Sequence, residues 1–170
     1  MEILRTPDEC FDNLEDYPFE PNYIDIEHHG QTLRMHYLDE NSESKEVVLL
    51  MHGEPTWSYL YRKIIPILVS NGKRVIAPDL IGFGKSDKPA AREDYSYANH
   101  ILWVEALLKK LDLKNITFFA QDWGGLIGLR LLAKYPDLYD GLVVSNSGLP
   151  VGSGATDGFM QWLEFSQSVE

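Results

Sequence analysis

Asn115-Ile-Thr-Phe-Phe-Ala-Gln-Asp-Trp-Gly-Gly125 changes character halfway along. Asn115–Ala120 is a short run rich in apolar, aromatic and β-branched residues, which predicts a strand. Gly124 to Tyr135 predicts a helix, stopped by Pro136, which lacks the next backbone N–H. Gln121, Asp122 and Trp123 lie between them, giving the form x-Asp-x-Gly-Gly. A strand passing into a helix over so few residues must turn sharply. The glycine pair suits such a turn, because the backbone can approach where a Cβ would collide. An acid placed there sits at a helix N-terminus, where the dipole and free N–H groups favour negative charge.

The same alternation of strand and helix extends outward. Val47-Val-Leu-Leu-Met51 is a continuous apolar run, as expected of a strand buried on both faces of a parallel sheet. A helix is predicted from about Ser58 to Ser70, punctuated by Asn71-Gly72, and Arg74–Pro78 is a further short apolar strand. Residues 79–94 form a loop rich in Gly, Lys, Asp and Pro. From Ser96 to Leu111, Tyr97, Ile101, Val104, Leu108 and Leu111 recur at spacings of three and four, an amphipathic helix. Gly141–Ser145 is another strand. Near the start, Ile24 and Ile26 alternate with Asp25 and Glu27, and Leu33, Met35 and Tyr37 alternate with Arg34 and His36. With His28–Gln31 as the turn, these form a hairpin. Residues 1–21, with three prolines, read as an irregular arm on the surface. Alternating strands and helices predict an α/β fold, a mostly parallel sheet with helices on both faces. Ligands of such sheets collect at the carboxyl ends of the strands, so the loops after residues 51, 78, 120 and 145 are the places to look.

Composition narrows the classes. A length of 170 residues suits one domain. With 44% hydrophobic and 24% charged residues, the chain is neither disordered, collagen-like nor a disulfide scaffold. No apolar run approaches the roughly 20 residues of a membrane span, and the first residues lack the basic and apolar stretches of a signal peptide. Cys10 is alone and fits a reducing compartment, so a cytoplasmic location without membrane contact is expected. The net charge of −11 is concentrated in residues 1–46, with 13 acids against 3 bases; residues 47–170 carry 13 against 12. An acidic chain is poorly suited to phosphate backbones, so no nucleic-acid partner is expected. Gly82-Phe-Gly-Lys-Ser86 lacks the spacing of a phosphate loop and is read as a brace for the face carrying the site. No Cys or His cluster has metal-ligand spacing, and neither a metal nor a cofactor is expected.

Two strand ends carry candidate chemistry. Asp122 occupies the nucleophile position of a strand-turn-helix elbow, where many hydrolases have Ser. A carboxylate is ionised at neutral pH without a base to activate it. It can attack a saturated carbon or an epoxide and leave an ester, which water must then cleave with the help of a base and an oxyanion hole. An Asp here could also be a simple N-cap, but the strand before it, the glycines after it and a second motif favour the nucleophile. That second motif is His52-Gly-Glu-Pro-Thr-Trp57, after the strand ending at Met51. Glu54 is positioned to offer a backbone N–H to an oxyanion, with Trp123 giving the companion N–H, and the Glu54 side chain is a candidate to hold water. His52 is read as a core histidine, not a base. The Trp123 indole is a donor on an apolar body, suited to a weakly hydrated departing anion.

The sequence resembles the haloalkane dehalogenases of the α/β-hydrolase superfamily. His52-Gly-Glu-Pro-Thr-Trp57, Ala77-Pro-Asp-Leu-Ile-Gly-Phe-Gly-Lys-Ser-Asp87 and Gln121-Asp-Trp-Gly-Gly125 carry the resemblance, over roughly residues 4–165. It implies an α/β-hydrolase fold and an Asp122 that displaces halide from an alkyl halide. The resulting ester would be cleaved by a water that a His–acid pair activates. A small halogenated alkane and water would enter; alcohol, halide and a proton would leave, with no cofactor. By position, the backbone N–H groups of Glu54 and Trp123 would form the oxyanion hole, and the Trp123 indole would bind halide. Trp162 lies in the cap-like segment, and no halide role is carried over to it.

The sequence departs from the family at one point. Its histidines are His28, His29, His36, His52 and His100, none after Asp122, whereas the family's acid and histidine follow the nucleophile. The resemblance therefore implies an N-terminal portion, truncated before the last strands and most of the cap. Residues 1–148 would be the first part of the core domain and residues 149–170 the start of a helical cap. Two other readings remain open. An epoxide hydrolase would also use an Asp nucleophile but needs tyrosine donors from the cap, and Gln121 and Glu54 favour dehalogenation. A non-catalytic module binding small apolar ligands would not need the histidine.

Overall fold

The apolar run Val47–Met51 is buried at every position, and the sheet is built around it. The computed structural model describes residues 1–148 and 154–168. In chain order its strands are β1 (Ile3–Leu4), β2 (Asn22–His28), β3 (Gln31–Glu40), β4 (Val47–Met51), β5 (Arg74–Pro78), β6 (Lys88–Pro89), β7 (Ile116–Gln121) and β8 (Tyr139–Ser145). Its α-helices are α1 (Ile65–Ser70), α2 (Tyr97–Lys110), α3 (Trp123–Lys134) and α4 (Asp157–Ser168). Six strands form one sheet in the order β2-β3-β5-β4-β7-β8. The hairpin β2–β3 and the β3–β5 pair are antiparallel, and β5, β4, β7 and β8 run parallel.

Side chains of a strand point alternately to opposite faces, so an apolar run needs cover on both. On one face Val47, Leu49 and Met51 join Ile116, Phe118 and Ala120 of β7 under Val104 and Leu108 of α2 and Ile127 and Leu131 of α3. On the other, Val48 and Leu50 join Val75 and Ala77 of β5 beneath Ile65 of α1 and Tyr61. Fully burying each such side chain contributes about 1.5–3 kcal/mol. A third cluster, Ile26, Leu33 and Met35 with Ile81, Trp103 and Leu107, seats the hairpin against α2.

The expected helix over Ser58–Ser70 is two pieces. A 3-10 turn spans Ser58–Tyr61, and α1 begins only at Ile65. Pro66 sits in the first turn of α1, where its missing N–H is tolerated but a helix running through from Ser58 would lose a bond. The long helix conforms to its reading: Ser96 caps α2 by accepting the Asn99 N–H at 3.1 Å. The arm is less irregular than expected. β1 pairs with β6, and Phe11 and Tyr17 pack their rings on Trp57 at 5.3 and 5.2 Å. At the other end of the sheet β8 is the edge strand, and Leu142, Val143 and Val144 are 46%, 48% and 39% exposed. The expected cap segment, residues 149–170, contains α4; its residues 149–153 and 169–170, and so the expected boundary, lie outside the described residues. No helix among the described residues is long and apolar enough to cross a membrane.

Candidate active site

Asp122 stands at the junction of β7 and α3 with φ 53° and ψ −127°. A non-glycine residue in such a sparsely populated region stores about 1–3 kcal/mol, which its surroundings must offset. Those surroundings come from both neighbouring strands. On the β8 side, the Asp122 N–H donates to the Asn146 carbonyl at 3.3 Å, and the Ser147 hydroxyl donates to the Asp122 carbonyl at 2.8 Å. The Gly125 N–H donates to the same carbonyl at 2.9 Å. On the β4 side, the Glu54 N–H donates to Asp122 Oδ1 at 2.9 Å.

The close approach of these strand ends explains two glycines. A Cβ on Gly53 would lie 2.3 Å from Asp122 Oδ1, and one on Gly124 would lie 2.3 Å from the Met51 carbonyl oxygen. Any side chain at either position would force the Glu54 loop and the elbow apart. Trp123 opens α3; as its first residue it offers a backbone N–H with no intrahelical acceptor. Its side chain is 39% exposed, with the Tyr97 ring 6.4 Å away. Asp122, Glu54 and Trp123, three positions singled out from sequence, are thus brought to one point above the sheet.

The supporting residues were not legible in the sequence. Asp79, at the end of β5, is completely buried and accepts hydrogen bonds from His36 Nδ1, the Ser58 N–H and the Lys85 N–H, each at 2.8 Å. Burial opposes its charge, but the bonds from His36 and the Lys85 N–H hold its carboxyl below the ordinary range. It joins the loop after β4 to the loop after β5. This is the bracing role expected of residues 82–86, and Tyr17 extends it with a 2.7 Å bond to the Ser58 hydroxyl. Asp79 stands in the Ala77–Asp87 motif that carries the resemblance, but its donors are mostly backbone groups, which carry no residue-type signature. Asn146 and Ser147 were visible only as the loop after the strand ending at residue 145.

His52 is buried, with Nδ1 2.9 Å from the Gly53 carbonyl, and Nε2 accepts the Leu80 N–H at 2.9 Å. Burial pushes its pKa down, in keeping with a neutral core imidazole. His100 is also pushed down, to about 4, by burial first and by His52 second. Among the described residues no histidine hydrogen-bonds Asp122. The arrangement holds one carboxylate oxygen on an N–H donor, next in sequence to a partly exposed tryptophan.

A sequence model of the alpha/beta hydrolase fold matches residues 46–168. The chain belongs to the alpha/beta hydrolase family. Asp122 lies at the turn between β7 and α3, within the matched residues. Its sequence is 54% identical to a haloalkane dehalogenase of Psychrobacter cryohalolentis over 99% of this chain and 56% of that protein. It is 52% identical to a haloalkane dehalogenase of Mycolicibacterium paratuberculosis over 98% of this chain and 56% of that protein. The solved tetrameric haloalkane dehalogenase of Paraglaciecola agarilytica NO2 superposes with a TM-score of 0.92 at 42% identity, over 99% of this chain and 57% of that chain. The chain thus spans about half the length of the curated relatives it matches.

Proposed function

We propose that this chain carries the nucleophilic half of a haloalkane dehalogenase. The supporting observation is the pairing of Asp122, held at the elbow with Oδ1 on the Glu54 N–H, with the adjacent exposed Trp123. The names of its relatives point the same way. In the first step Asp122 Oδ2 attacks the halogen-bearing carbon of a small alkyl halide. A C–O bond forms as the C–halide bond breaks, and the halide leaves with the bonding electrons toward the Trp123 indole N–H. In the second step water attacks the acyl carbon of the ester. Charge then develops on Oδ1, which already faces the Glu54 N–H, with the Trp123 backbone N–H as the companion donor. The alcohol departs, the carboxylate returns and a proton is released.

Water must lose that proton to a base. None of the five histidines hydrogen-bonds Asp122, so this chain is read as lacking that base. On this reading residues 1–148 would be the first part of the core domain and residues 149–170 the start of the cap. The test uses 1,2-dibromoethane. This chain is expected to release bromide once per molecule, gaining a bromoethyl group on Asp122 by intact mass, without turnover. Asp122→Asn should abolish both signals. Bromide release retained in Asp122→Asn would overturn the assignment, and so would opening of an epoxide in place of bromide release.

A further inference from the structure

The Glu54 N–H and the Gly53 carbonyl belong to one peptide plane, so whatever holds the carbonyl aims the N–H. Three donors converge on that oxygen: the Thr56 hydroxyl at 2.8 Å, the Thr56 N–H at 3.0 Å and the His52 imidazole at 2.9 Å. The imidazole's role is fixed by its other side. Nε2 accepts from the Leu80 N–H, so in the neutral ring the proton is on Nδ1, directed at the Gly53 carbonyl. The opposite edge of the same plane meets Asp122 Oδ1 at 2.9 Å. Gly53 has no side chain to disturb this, since a Cβ would strike that oxygen.

We propose that Thr56 and His52 are positioning residues that clamp and polarise the peptide whose N–H faces Asp122. The clamp fixes the direction of the N–H before any charge develops, which removes reorganisation from the reacting step. Donors on the carbonyl also draw electron density through the amide and strengthen the N–H opposite. His52 thus acquires a task without acting as a base, and the strongly polar H-G-x-x-T spacing acquires a physical reason. The step the clamp serves rests on reading Asp122 as the nucleophile; the clamp itself does not.

Thr56→Val keeps the shape and removes the hydroxyl, while Thr56→Ser keeps the hydroxyl. The Glu54 amide proton, followed by NMR in this 170-residue chain, should move upfield in Thr56→Val and return to its wild-type position in Thr56→Ser. An unmoved Glu54 amide in Thr56→Val would overturn the clamp, as would failure of Thr56→Ser to restore it. If the amide behaves as expected but the wild-type chain releases no bromide, the clamp stands and the dehalogenase reading fails.

Discussion

Strand β7, which delivers Asp122, has two neighbours of opposite character. β4 is covered on both faces and all five of its residues are buried. β8 is an edge strand whose Leu142, Val143 and Val144 remain well exposed. Each grips the elbow through the loop at its carboxyl end. β4 supplies the Glu54 N–H to the carboxylate, and β8 supplies Asn146 and Ser147 to the backbone. The two grips therefore differ in rigidity. The donor aimed at Asp122 Oδ1 hangs from the fully buried strand, where packing leaves little room to shift. The backbone support hangs from a strand with little cover.

This contrast can be broken most directly in the core. Leu49→Ala in β4 should destabilise by about 2–5 kcal/mol, whereas Val143→Ala in β8 should remain within about 1 kcal/mol, because its side chain is already half in water. Urea titration of both variants measures the difference, and equal losses would erase the distinction between the strands. A smaller effect is expected at the elbow. Ser147→Ala removes one bond to the Asp122 carbonyl and should lower stability by about 1 kcal/mol, with the Glu54 amide resonance unmoved. A shift of that resonance would mean that the two grips are coupled.

A pH-dependent effect, full at neutral pH and lost in acid, concerns what ties the β8 side to the rest. Glu105 of α2 accepts from Lys134 at 2.7 Å and Tyr135 at 2.5 Å at the end of α3, and also from Lys109. Burial raises its pKa, but these bonds outweigh it and bring the carboxyl to about 2. A carboxyl whose folded pKa is depressed contributes stability above its unfolded value near 4.5, and that stability is lost as pH falls toward 2. Thermal melts of Glu105→Gln and wild type should therefore converge between pH 4.5 and 2. A constant gap across that window would assign the loss to packing.

The strands and helices could be read from sequence because their signals are local. An apolar run at 47–51, a three-four spacing at 97–111 and a glycine pair at 124–125 each state their own conformation. Asp122, Glu54 and Trp123 were legible for the same reason, since each sits beside a strand end or a turn residue of distinctive type. The break in the helix at Pro66 was also local, and the apolar residues around it masked it. Tertiary structure alone decided the supports. Asp79 gathers His36, Ser58 and Lys85 from three separate segments, and Thr56 and His52 converge on one carbonyl through the curvature of a loop. Most of those partners are backbone N–H and C=O groups, which every residue possesses, so no residue type announces them. Sequence alone determined that a carboxylate stands at the turn after β7. The fold decided the direction in which its oxygens are held, because only packing brings the ends of β4, β7 and β8 to the same point.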